Sequence, residues 1–267
     1  MHISPHVFLP QPTSKPTQQP IMKPTFQPTR LTEAPTLKPT CGNNGNFNLC
    51  IAIDMSGSVC NGLTRGLCLD CVPTTSCNSG NEKLTICCPN FSNMLEFTKD
   101  VITELGELPT DQDFSVVHFG SDVTVASSLD SWKQSIKTIN KLKYTGGKTN
   151  LAGAISSCQL TLDQSPPDRK NLMLIITDGA PSVPAVNAGG AATTAALNAK
   201  LQDTFIIPVL IEEPNNLYEQ EVSFLTNNIS SDGKVFVSDF DGLNNLQDSL
   251  FEQITCQANG NDNDTGE

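Results

Sequence analysis

Aromatic residues make up only 6% of this 267-residue chain, with one Trp, two Tyr and twelve Phe. A core must therefore be assembled mainly from Ile, Leu, Val and Ala, and the length suffices for one sizeable domain plus extensions. Histidine is nearly missing, being confined to His2, His6 and His118. Two of these lie at the Pro-rich start and the third in a short apolar stretch. No Ser-His-Asp order, H-E-x-x-H pair or phosphate loop can be found, and catalysis is not expected. Basic residues are scarce too: 16 Lys and Arg face 28 Asp and Glu, a net charge of −12. A surface poor in Lys and Arg cannot neutralise phosphates, which argues against nucleic-acid binding. No apolar run is long enough to span a bilayer, so direct membrane insertion is not expected. Met1–Pro10 lacks the basic and apolar regions of a signal peptide, and the chain is expected to be a fragment or a trimmed form.

Cysteine, by contrast, is abundant: ten residues, at 41, 50, 60, 68, 71, 77, 87, 88, 158 and 256. Their even number and clustering point to disulfides, and hence to a secreted, cell-surface or cell-wall location. Three N-x-S/T acceptors, Asn90, Asn228 and Asn263, are compatible with that setting.

The charge is unevenly spread. Residues 1–40 carry Lys15, Lys23, Arg30 and Lys38 against Glu33, a net of +3, which leaves −15 for the remainder. That segment repeats Pro-Thr at Pro12, Pro16, Pro24, Pro28, Pro35 and Pro39. Proline removes backbone donors and fixes φ, so residues 1–40 are expected to form an extended or disordered stalk, whose Pro/Thr tract over residues 10–40 would span on the order of 90 Å if fully stretched. Thr among Pro also suits O-glycosylation. Residues 41–256 are expected to form the folded domain, and residues 257–267 a polar disordered tail.

Within the domain, Phe47–Asp54 and Leu172–Thr177 are apolar runs of the kind that form buried parallel strands. Phe114–Phe119 and Val123–Ser127 flank Gly120-Ser121-Asp122 as a hairpin. Thr204–Ile211 and Lys234–Val237 complete the strands, with a bulge or early end expected at Pro208 because proline cannot donate to a ladder. Helical spacing marks Phe91–Leu105, Trp132–Leu142, Leu151–Leu162, Ala188–Leu201, Leu217–Leu225 and Leu243–Ile254. Strands alternating with helices predict a doubly wound α/β fold: a mostly parallel sheet, one antiparallel edge strand and helices on both faces. Ligands of such folds bind at the carboxyl ends of strands, where strand order reverses.

Three segments fall at those ends: Asp54-Met55-Ser56-Gly57-Ser58, Gly146-Gly147-Lys148-Thr149-Asn150 and Thr177-Asp178-Gly179. They gather the carboxylates of Asp54 and Asp178 with the hydroxyls of Ser56, Ser58 and Thr149, without His or Cys, a donor set for hard cations such as Mg²⁺, Mn²⁺ or Ca²⁺. Singly, each residue serves equally well as a cap or turn former. Together, Asp-x-Ser-x-Ser, a Thr after Gly-Gly and Asp-Gly after an apolar strand resemble the metal-ion-dependent adhesion site of von Willebrand factor A domains. The resemblance covers about residues 46–256. It implies that Ser56, Ser58 and Thr149 bind a cation, Mg²⁺ foremost, through hydroxyls, with Asp54 and Asp178 binding directly or through water. It further implies an adhesion module that captures an Asp or Glu carboxylate of a protein or matrix partner.

The chain departs from that family at residues 59–89, a Cys-rich insert holding Cys60, Cys68, Cys71, Cys77, Cys87 and Cys88. It has little to bury and needs cross-links to be ordered. Sequence does not choose the pairing. The insert leaves the chain beside Ser58, where it either rims the cation face or points away from it, and Cys68, Cys71, Cys87 and Cys88 offer a weaker zinc alternative. Cys41 and Cys256 flank the domain and are expected to pair. Cys50 and Cys158 either pair with each other or lie buried and free, with pairing favoured. Two other readings stand beside adhesion: a disulfide-stabilised matrix or wall module that associates without the metal, and an acidic surface making many weak calcium contacts.

Overall fold

The structure is a computed structural model, which describes residues 45–60, 89–212 and 219–259. The stalk, Cys41, the insert from residue 61 to 88 and Asn263 lie outside the described residues. The strands are β1 (Phe47–Asp54), β2 (Gln112–Phe119), β3 (Val123–Asp130), β4 (Lys170–Thr177), β5 (Thr204–Ile211) and β6 (Phe236–Ser238). The helices are α1 (Pro89–Gly106), α2 (Trp132–Ile139), α3 (Leu151–Leu162), α4 (Ala188–Lys200), α5 (Glu219–Phe224) and α6 (Gln247–Ala258). One six-stranded sheet runs in the order β3-β2-β1-β4-β5-β6, parallel throughout except for the antiparallel edge strand β3.

Each central strand feeds two cores through its period of two. In β1, Phe47, Leu49, Ile51 and Ile53 join the cluster beneath α1, α2 and α6, with Leu172, Leu174 and Ile176 of β4 beside them. Cys50 and Ala52 point the other way, with Met173 and Ile175, against α3 and α4. All eight residues of β1 are buried, which explains its unbroken apolar run. A disulfide joins Cys50 to Cys158 of α3, with Cα atoms 5.6 Å apart.

Pro208 neither bulges nor ends β5. The strand continues to Ile211, and Pro208 pairs with Ile175 of β4. Ile206 bonds Ser231 through both its N–H and its carbonyl, so the even-numbered residues of β5 turn their backbone groups away from β4. Pro208 therefore faces the β6 side, where pairing opens only at Val209–Phe236, and its missing donor leaves no gap in a ladder. Other boundaries differ from expectation as well: β3 runs on to Asp130, and β6 covers Phe236–Ser238. α2 stops at Ile139, because Lys141 and Leu142 donate to Thr138 and Ile139 in a tighter final turn. α6 runs past Cys256 to Ala258, which is buried against the core. Gly45 lies there so closely that a Cβ on it would meet the Ala258 carbonyl oxygen at 2.1 Å. The two ends of the domain thus meet, and Cys256 is disulfide-bonded, as is Cys60.

The far end of the sheet is held by charge. Arg169 bonds Asp111 and Asp113, the latter at 2.6 Å, and Asn48 at 3.2 Å. This cluster fixes the start of β4 against β1 and β2, at the end opposite Asp54. Among the described residues, no helix is long and apolar enough to cross a membrane.

Candidate metal centre

β1 and β4 are the neighbours at which strand order reverses, and their register brings Ile53 beside Ile176. The next residues, Asp54 and Thr177, therefore meet at the carboxyl ends. Thr177 donates its hydroxyl to Asp54 Oδ2 at 2.6 Å, and the Ser56 N–H donates to Asp54 Oδ1 at 2.7 Å. The second bond folds Asp54-Met55-Ser56 into a local turn of the kind Asp favours. It sets the Ser56 and Ser58 hydroxyls 2.9 Å apart, and Ser58 Oγ donates to Asp178 Oδ1 at 2.8 Å. Asp54, Ser56, Ser58 and Asp178 thus form one connected line of oxygens. Asp54, Ser56 and Asp178 are buried, and Ser58 is partly open.

Thr149 arrives from a separate loop. The Gly57 N–H donates to the Gly147 carbonyl at 2.7 Å, which joins that loop to the Ser56–Ser58 turn. Thr149 itself is buried, and its backbone N–H and carbonyl bond Ser182 Oγ and the Ser182 N–H, each at 2.9 Å. Asn150 caps α3 by accepting from the Gly153 N–H at 3.0 Å, so the helix starts directly after Thr149.

Three contributors were not visible in the sequence reading. Thr177 binds Asp54, Ser182 holds Thr149, and Tyr144 donates its hydroxyl to the Ser56 carbonyl at 2.8 Å. Thr177 was within reach, because the register that sets Ile53 beside Ile176 sets it beside Asp54, and it directly precedes Asp178. Tyr144 carries no such signal, since it lies 88 positions from Ser56 and reaches it only across a loop.

The electrostatics fit a cation. Burial pushes the Asp54 carboxyl up to about 6, against the hydrogen bonds from Thr177 and Ser56 that hold it down. The Tyr144 hydroxyl is raised by burial and then by the negative charges of Asp178 and Asp54. Among the described residues, no salt bridge reaches Asp54, and no cluster of three or more His, Cys, Asp or Glu exists. A cation held between Asp54 and Asp178 would be bound by the hydroxyls beside them as well. Buried carboxylate charge beside neutral oxygens suits a hard divalent ion. The two other described site candidates, Asn90 and Asn228, already use their amide nitrogens, on the Val59 carbonyl at 2.8 Å and the Phe224 carbonyl at 3.1 Å.

Gly147 has φ of +111°, and a Cβ there would meet Ser121 Oγ at 2.7 Å. Gly147→Ala is expected to lower stability by about 1–3 kcal/mol. It should also weaken Mg²⁺ binding by roughly tenfold, since a shift of the loop that carries Thr149 loses on the order of 1.4 kcal/mol of cation contact. Thermal melts and calorimetry check this, and a variant with the parent's affinity would show that the loop does not position the site.

Comparison with curated proteins gives no significant match. Among solved structures, the chain is similar to proximal thread matrix protein 1 from the mussel byssus, described with a zinc-occupied MIDAS motif. Identity is 17%, TM-score 0.58, and the alignment covers 80% of this chain and 48% of that one, so the chain spans about half its length. It is similar to the manganese-loaded TRAP protein of Plasmodium vivax, at 15% identity and TM-score 0.53, covering 82% of this chain and 76% of that one. It is also similar to the pilus adhesin SpaC of Lactobacillus rhamnosus GG, at 13% identity and TM-score 0.57, covering 82% and 31%. These likenesses agree with the doubly wound sheet. The family model for the von Willebrand factor type A domain matches residues 86–249, and with that match, the sheet order and the site at the strand reversal, the chain belongs to the von Willebrand factor type A domain family.

Proposed function

We propose that this domain is an extracellular adhesion module that captures a carboxylate of a protein or matrix partner through a divalent cation. The observation that carries the reading is the hydrogen-bonded line from Thr177 through Asp54, Ser56 and Ser58 to Asp178 at the strand reversal. In this reading Ser56, Ser58 and Thr149 hold the ion through hydroxyls, and Asp54 and Asp178 balance its charge. A bound Mg²⁺ or Mn²⁺ supplies a position that an Asp or Glu of the partner fills. The zinc-occupied MIDAS motif of the thread matrix protein and the manganese-loaded TRAP protein, both of similar fold, support a cation here. The buried Cys50–Cys158 disulfide supports an oxidising location.

The test is calorimetric titration of chelator-treated protein with Mg²⁺ and Mn²⁺, beside Asp178→Ala. Saturable binding to one site is expected in the parent, with a loss of about a hundredfold or more in the variant, in line with removing a charged ligand from a buried site. Equal binding by both would end the reading. The likeness to a thread matrix protein favours a second one, a structural module that associates without metal. Self-association that persists unchanged in EDTA would support it.

A further inference from the structure

Residues 131–162 carry five lysines and not one acid, in a chain whose net charge is −12. Lys133 and Lys137 lie on α2, Lys141 and Lys143 follow it, and Lys148 directly precedes Thr149. All five are exposed, and among the described residues none takes part in a salt bridge. Lys133 lies over the Trp132 ring at 5.0 Å, which leaves its charge at the surface.

Topology arranges these charges in a row. β2 runs parallel to β1, and β3 returns antiparallel, so β3 ends at the edge opposite Asp54. α2 begins there and climbs back, about 12 Å in its eight residues. Lys133 and Lys137 are one turn apart on its outer face, while Ser135 and Ile139 are buried on the inner one, and Lys141 follows directly after the Asn140 cap. The chain then crosses to Gly147, bonded to Gly57, and Thr149. A line of positive charge thus starts at the candidate cation site and descends along α2.

The neighbouring helix does not cancel it. On α1, Lys99 faces α2 and donates to Asn140 Oδ1 at 3.3 Å, while Glu96 is engaged by Lys99 at 2.6 Å. Glu104 faces α6 instead, where burial and then the charge of Asp248 raise its carboxyl.

We propose that the lysine row is a docking track for an acidic polypeptide segment whose first carboxylate is captured at the cation site and whose following carboxylates pair with Lys148, Lys143, Lys141 and Lys137. This rests on the cation-site reading above. It commits to a polypeptide because that site selects carboxylate and Lys148, the residue before Thr149, is followed back along the chain by Lys143, Lys141 and Lys137. Lone carboxylates would gain nothing from α2, whereas a run of them would gain several weak charge pairs at once.

The test uses the full chain with poly-L-aspartate as probe, in excess Mg²⁺, against the combined variant Lys137→Glu, Lys141→Glu, Lys143→Glu. Affinity is expected to fall about tenfold or more, the sum of three exposed charge pairs, with a shallower salt dependence. Mg²⁺ titration and melting should stay as in the parent. The milder variant Lys137→Gln, Lys141→Gln, Lys143→Gln should weaken binding in the same direction. If Mg²⁺ binds but the lysine variants hold poly-L-aspartate as the parent does, the track fails while the cation site stands. If Mg²⁺ does not bind yet lysine-dependent binding persists, the cation-site reading fails and the basic row remains. Heparin bound more tightly than poly-L-aspartate, equally by Asp178→Ala, and lost in the lysine variants would overturn the polypeptide in favour of a sulfated polysaccharide.

Discussion

Replacing both Cys50 and Cys158 by alanine is expected to lower stability by about 5 kcal/mol, the loss that chain entropy assigns to a closed loop of roughly 100 residues. The two cysteines are 108 positions apart, and neither is exposed. The bond ties β1, the strand that ends in Asp54, to α3, the helix that starts after Thr149. Opening it releases the two elements that bring the carboxylate and the separate hydroxyl together. With total stabilities of about 5–15 kcal/mol, the variant should be close to unfolding at physiological temperature. In urea the midpoint should fall by about 2 M, taking a slope near 2–3 kcal/mol per M. A midpoint within a few tenths molar of the parent's would mean that tertiary packing alone fixes α3 on the sheet. Because the sulfurs are buried, mild reductants should leave the bond intact in the native protein.

The fold was legible where one physical signal dominated. β1 is buried on both faces, so its apolar run and terminal acid mark its limits, and α3 shows its apolar spacing just as openly. Pro208 was misread because a sequence does not say which side of a strand a backbone nitrogen faces. Its nitrogen faces the side where β6 has not yet begun, and the strand tolerates it. The site was legible through the three segments that end strands or start helices, and of the five expected cation ligands Asp54, Ser56, Ser58 and Asp178 are joined by direct hydrogen bonds. Thr149 reaches them through Gly147 and Ser182, and Tyr144 through a backbone carbonyl. Such contacts join loops far apart in sequence and leave no periodicity to read.

Asp54→Asn should abolish saturable Mg²⁺ binding and, without metal, make the protein more stable at neutral pH. The carboxyl of Asp54 is raised to about 6 by burial, above its ordinary value of 3.8. The folded state therefore binds its proton more tightly than the unfolded state does. The sign follows: without metal, the Asp54 contribution is most favourable below the unfolded value and is lost as pH rises from about 4 to about 6. At neutral pH the folded domain carries the ionised, buried group, at a cost of up to about 3 kcal/mol. Asparagine removes that charge and keeps the shape. Its carbonyl can still accept from the Ser56 N–H, and the Thr177 hydroxyl can turn to accept from its amide. The difference in melting temperature between Asp54→Asn and the parent should thus grow from pH 4 to pH 6 in chelator and level off above. Added Mg²⁺ should reverse the order, because an ion that binds only the folded parent stabilises it by mass action. That stabilisation should fade below about pH 6, where the proton competes for the same oxygens. A variant less stable than the metal-free parent across this range would show that Asp54 is held for its hydrogen bonds to Ser56 and Thr177. The buried charge would then not be what the cation is there to balance.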